Sequence, residues 1–212
     1  MATSKRPDPA LRRPYHHGNL RRALLDEALA TIREEGVDGL TLREIGARVG
    51  VSRSALYRHF ADKPALLTAV ATEGFRALRQ RLVAAWEEGG RGDAAFSAMG
   101  VAYVRFAVAN PAHYRVMFGG FVDPEARDPE LAAEGEGAFQ ALVDALAALR
   151  RGGVFREDDT ILMARHVWAL VHGMAMLGID GQLREPAAVE ELMRYGFERL
   201  RTGIRRDAKG SS

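Results

Sequence analysis

The chain has 212 residues, 47% hydrophobic and 27% charged, which is enough to bury a substantial core and is unlike the make-up of a disordered or fibrous protein. It contains no cysteine, which excludes disulfides, thiolate metal sites and cysteine nucleophiles. No uninterrupted apolar run of about 18 residues suggests a membrane span. No apolar run follows the basic N-terminus either, so the expectation is a cytoplasmic protein without a secretory signal. Net charge is +2, but through Lys63 there are 12 Lys+Arg against 8 Asp+Glu, and beyond it 18 against 20. A basic front favours a polyanionic partner.

Residues 1–18 carry Pro7, Pro9 and Pro14 among Lys5, Arg6, Arg12 and Arg13, a pattern that predicts a flexible basic arm. From Asn19 to Glu35, Leu20, Leu24, Leu25, Ala28, Leu29 and Ile32 recur at helical spacing, with Asn19 as cap and Gly36 as stop. Thr41 and Glu44 have the spacing of a capping box, which starts a second helix that ends at Gly50. Ser52 caps a third, short helix reaching about His59, and Asp62 caps a long fourth to Glu88. After Gly89–Gly92, helices are expected over 93–110, 111–118, 129–151, 158–177 and 186–205. No strand pattern competes, so the fold class is all-α. The expected organisation is a three-helix head over 19–63, a helical body over 64–206, and a disordered tail over 207–212.

Two short helices joined through Gly50-Val51 have the dimensions of a helix-turn-helix. Its second helix fits the DNA major groove, with N-terminal residues reaching base edges while the first helix crosses the backbone. Val51, Leu56 and Phe60 are spaced to face inward, leaving Arg53, Ser54, Tyr57 and Arg58 outward. Arginine can bond guanine O6 and N7, and hydroxyls can bond bases or phosphates. Lys63, in the first turn of the next helix, adds a cation where free amides already favour phosphate. The competing reading is an ordinary helical corner with a solvated charged face.

The stretch LLDEALATIREEGVDGLTLREIGARVGVSRSALYRHFADKPALLTAV, from Leu24 to Val70, resembles the N-terminal domain of the TetR/AcrR family of transcriptional regulators. The resemblance implies phosphate contacts from Thr41, Tyr57, His59 and Lys63, and base reading by Arg43, Ser52, Arg53, Ser54 and Ala55. Pro64 replaces a frequent glutamate, which a first helical turn tolerates. Arg58 replaces a frequent aromatic or histidine, leaving it to hold phosphate or face solvent. The C-terminal half resembles the WHG subset of the same family through Trp168, His172 and Gly173, through AYVRFAVANPAHYRVMFGG at 102–120, and through PYHHGNLRRALL near the front.

Trp168 and His172 lie one helical turn apart, and two readings stand: ligand-contacting walls, or a packed aromatic beside a satisfied core histidine. Tyr103, Phe106, Tyr114, Met117, Phe118, Phe121 and Met176 likewise fit either an apolar cavity or plain core. His16-His17 lack a third ligand at metal-site spacing, so no metal is expected. No catalytic motif and no cofactor signature appears, and Glu157, Asp158 and Asp159 read as helix-start charges. The resulting expectation is a repressor that binds a palindromic double-stranded DNA operator as a homodimer, through helices near 158–177 and 186–205. A small apolar effector would release it, and no membrane partner is implied. The alternatives are a helical small-molecule-binding protein or enzyme that keeps the helix-turn-helix as structure only, and an architectural DNA-binding protein.

Overall fold

The computed structural model describes residues 20–122, 128–183 and 186–204. The expected arm, its histidine pair, the Asn19 cap and the C-terminal tail lie outside these. Nine helices and no strand occur among the described residues: α1 Leu20–Gly39, α2 Leu42–Val49, α3 Arg53–Tyr57, α4 Lys63–Glu88, α5 Asp93–Ala109, α6 Pro111–Phe118, α7 Pro129–Arg151, α8 Thr160–Ile179 and α9 Pro186–Ile204.

In the head, the expected stop at Gly36 is a kink instead. Gly36 takes φ 78 and ψ 175, and the chain re-enters a short helical turn that carries Val37 into the core. Thr41 Oγ1 accepts the Glu44 amide at 3.3 Å, which caps α2. The other half of the expected capping box is not made, because the Glu44 carboxylate takes Arg48 Nη2 at 3.0 Å. Gly50 ends α2 at φ 78, with its N–H shared between Gly46 and Ala47 carbonyls. Ser52 Oγ accepts the Ala55 amide at 3.2 Å, and α3 closes at Tyr57, two residues earlier than the pattern suggested. A side chain on Gly46 would sit 2.9 Å from Leu56 Cδ1, so glycine sets how closely α2 and α3 cross.

The Arg48 guanidinium joins α2 to α1 through Glu27, Glu34 and Glu35, and pairs with Glu44 one turn back on its own helix. The hydrogen bonds to Glu35 and Glu44 lead in raising its pKa. These pairs are solvent-accessible, so they fix geometry more than they stabilise.

Beyond the head, α4 packs most extensively on α7 and α5, α8 lies on α5 and α7, and α9 lies on α8. Asp128 Oδ1 accepts the Leu131 amide at 2.8 Å to cap α7. Asp159 Oδ1 accepts Ile161 and Leu162 amides at 2.9 and 3.0 Å, so α8 starts two residues later than expected and runs on to Ile179. By length and composition α8 is apolar enough to cross a bilayer, which the sequence reading did not anticipate. One flank of it instead packs in the body, with Met163, Ala164, Val167, Val171, Met174 and Ala175 buried.

The buried residues form three clusters. The first gathers α1, α2, α3 and the N-terminal half of α4, and takes in Ala112 and Val116 of α6. The second surrounds Leu78, Tyr103, Tyr114 and Val171. The third surrounds Phe96, Leu146, Phe155 and Leu200.

Candidate nucleic-acid interface and ligand cavity

Leu56 and Phe60 are 2% and 3% exposed, and they turn the opposite face of α3 to solvent. Thr41, Arg43, Ser52, Arg53, Ser54, Tyr57 and His59 are exposed there, while Ala55 and Lys63 are half-buried. All nine residues singled out in the head thus retain accessible surface around the start of α2, along α3 and at the start of α4. The Arg53 guanidinium lies over the Tyr57 ring, 5.6 Å from its centre, a contact that stiffens a long side chain before any partner arrives. Lys63 Nζ reaches the Asp38 carbonyl at 3.4 Å.

Among the described residues Arg43, Arg53 and Arg58 form no ion pair, whereas Arg48, five residues from Arg43, is ringed by carboxylates. Sequence alone does not separate these arginines. The Thr41 and Ser52 hydroxyls use acceptor lone pairs for capping, which leaves an O–H to donate outward. Ser52 and Ser54 hydroxyls also share a bond at 3.1 Å.

Between α4, α5, α7, α8 and α9 the body encloses a cavity of about 400 Å³. Of the residues expected to line one, Tyr103, Phe118 and Trp168 do so. Phe106, Tyr114, Met117 and Met176 pack in or against the second cluster without reaching the cavity, and His172 stacks on the Tyr114 ring behind it. Phe121 is exposed just past α6. The rest of the wall, including Phe75, Leu78 and Leu82 of α4 and Phe139 and Leu142 of α7, went unremarked in the sequence. Gly100 was a usable signal: a side chain there would meet the Phe197 ring at 2.6 Å, marking a close approach of α5 and α9 beside the void.

A polar chain runs away from the cavity wall. Trp168 Nε1–H donates to the Tyr103 hydroxyl at 3.2 Å, the Tyr103 and Tyr114 hydroxyls are 2.8 Å apart, and the Tyr114 hydroxyl lies 2.7 Å from His172 Nδ1. One orientation satisfies every member: Tyr103 donates to Tyr114, Tyr114 donates to Nδ1, and His172 is neutral with its proton on Nε2. Burial lowers the His172 pKa, which favours that neutral form, and burial pushes the Tyr103 hydroxyl up to about 12. Trp168 and His172 therefore differ: the first borders the cavity and the second is a satisfied histidine behind it.

Residues 24–70 match the family described as bacterial regulatory proteins, tetR family, and residues 96–200 match the tetracyclin repressor-like C-terminal domain. The chain belongs to the TetR family. A protein of unknown function from Rhodococcus sp. RHA1 has the same fold, with a TM-score of 0.82 and 34% identity over 92% of this chain and all of that one. The TetR family transcriptional regulator PfmR from Thermus thermophilus follows at a TM-score of 0.69 and 25% identity, covering 86% of this chain and 99% of its own. The uncharacterized HTH-type transcriptional regulator YobS of Bacillus subtilis is 24% identical across 88% of this chain and 93% of that protein. This TetR-family protein is a transcriptional regulator and not an enzyme.

Proposed function

We propose that this TetR-family regulator is a cytoplasmic repressor that grips a palindromic operator as a homodimer and lets go when a small apolar effector enters the body. One observation carries the effector response: two helices belong to both ends of the molecule. Leu66, Leu67 and Val70 of α4 sit in the head core, while Phe75, Leu78 and Leu82 of the same helix line the cavity. In α6, Ala112 and Val116 pack in the head core, and Tyr114 and Phe118 face the body. A ligand that displaces the cavity wall therefore bears on elements that hold the reading head.

Residues 19–63 read DNA and residues 64–206 form the sensing and pairing body. Base contacts fall to Arg43 and Ser52–Ala55, and backbone contacts to Thr41, Tyr57, His59 and Lys63. Pairing runs through α8 and α9, where Leu162, Leu177 and Tyr195 expose apolar surface that a monomer has no use for. Two heads about 34–36 Å apart then meet successive major grooves.

A gel-shift titration against an inverted repeat beside the gene tests the reading. The expected result is far tighter binding than to random duplex, falling steeply with salt. Arg53→Ala should relax base preference by about 1–3 kcal/mol, and Lys63→Ala should weaken all sequences alike. Equal binding to every duplex would overturn the operator reading. An operator affinity unmoved by a ligand that fills the cavity would overturn the effector response.

A further inference from the structure

The cavity wall is apolar at almost every position, with one full charge among the described lining residues: Arg165 of α8. Arg165 is exposed, as is Trp168 three residues on, and both line the cavity, so this face of α8 marks where the void opens to water. In the body, Arg76 and Arg79 are engaged by Glu134, Arg115 by Asp180 and Arg150 by Glu157, while Arg81, Arg151 and Arg194 form no ion pair among the described residues but do not line the cavity. Arg165 has no carboxylate partner among the described residues.

Among the described residues no acidic side chain borders the void to receive a cation. Glu134, next to the lining residue Gly135, is committed to Arg76 and Arg79 at 2.8 and 2.9 Å. The remaining polar groups are also occupied: the Tyr103 hydroxyl takes the Trp168 N–H, and Ser97 Oγ reaches the Asp93 carbonyl at 3.4 Å. An apolar chamber with a single unmatched guanidinium at its mouth is complementary to an amphipathic monoanion.

We infer that the effector is an alkyl or aryl carboxylate whose apolar body fills the cavity and whose carboxylate is bound by Arg165 at the mouth. At about 30 Å³ for a water-sized group, a 400 Å³ void accepts roughly a dozen carbon atoms, the alkyl chain of about a twelve- to fourteen-carbon acid whose carboxylate stays at the mouth. Guanidinium and carboxylate match as a two-pronged pair. A dianionic phosphate head would leave one charge unmatched. The inference rests on reading the cavity as the effector site.

Dodecanoate, dodecanol and dodecyl phosphate, each below its solubility or micellar limit, should be titrated into the full-length protein without DNA, with calorimetry as the readout. Dodecanoate should bind at least about tenfold more tightly than dodecanol, as a partly solvated charge-assisted pair allows. Arg165→Gln should erase that gap while leaving dodecanol affinity unchanged, and Arg165→Lys should restore part of it. Equal affinity for acid and alcohol, failure of dodecanoate to bind, or a gap that survives Arg165→Gln would overturn the inference. Tighter binding of dodecyl phosphate would overturn the monoanion assignment. Operator release, measured separately, distinguishes the two readings: acid binding that depends on Arg165 without DNA release sinks the effector role but not the ligand class. Release driven equally well by dodecanol does the reverse.

Discussion

In the head, Leu24, Leu25, Ala28 and Ile45 are fully shielded and packed by neighbours on every side, whereas in the body Leu78, Ala138 and Val171 are almost as shielded from bulk solvent yet border a 400 Å³ void. Both regions are helical, but the head core is mostly leucine, alanine and valine, whereas the body core adds methionines and the aromatics Tyr103, Phe106, Tyr114 and Phe155. Their tasks differ. A reading head must hold α3 rigid against the groove, so its interior closes around Leu56 and Phe60. The body forgoes dispersion contacts along the cavity wall, a cost that only an occupant can offset.

The sharpest way to break this contrast is truncation at matched sites. Leu25→Ala in the head should destabilise by about 2–5 kcal/mol in urea unfolding, because a closed core cannot relax into the hole. Leu82→Ala, at a wall that already lacks neighbours on one side, should cost about 2 kcal/mol or less by the same measurement. Similar losses would mean that the void closes up in solution.

Enlargement tests the converse. Ala28→Leu has nowhere to go and should cost about 1–3 kcal/mol, whereas Ala138→Leu fills space and should stay within about 1 kcal/mol of the parent. Protomer concentration must be held constant in these comparisons, since pairing contributes to apparent stability.

A smaller effect is expected in the polar chain behind the cavity. Tyr114→Phe removes the hydroxyl between Tyr103 and His172, but those two are already 3.5 Å apart and can pair directly, so about 1 kcal/mol should be lost. A loss above about 3 kcal/mol would show that Tyr114 is irreplaceable as the link.

The smallest effect follows pH. Burial leads in lowering the pKa of both His172 and His113, so the folded state takes up their protons at lower pH than the unfolded chain does. Stability should be level above about pH 6.5, the ordinary histidine value, and decline as pH falls below it towards the depressed folded values. Melting temperatures between pH 7.5 and 5.5 should show this slope, and His113→Asn with His172→Asn should flatten it.

Much of the head was legible because its signals are local. Thr41, Ser52 and Asp62 each bond an amide three residues on, and Gly50 takes a left-handed turn that glycine adopts at low cost. Contacts within one turn of chain depend on neighbours in sequence, so spacing reports them. Arg43 and Arg48 show where this fails: both are arginines of α2, but the carboxylates that occupy Arg48 come mostly from α1. The kink at Gly36 was misread as an end for a related reason, since only the pull of Val37 into the core restarts the helix.

In the body, helical periodicity marks Leu78, Phe139 and Phe197 as inward-facing, but an inward face packs against atoms or borders a void with the same spacing. Trp168 and His172 share a helical turn and a resemblance, and only the position of Tyr103 and Tyr114 between them sends one to the cavity and the other to a hydrogen bond. The sequence by itself determined the helices, their caps and the outward face of α3, because those follow from bonds between residues a few positions apart. The tertiary structure alone decided that α4 and α6 serve two cores, that a cavity lies between α4, α5, α7, α8 and α9, and that Arg165 stands at its mouth, because each depends on how helices distant in sequence cross.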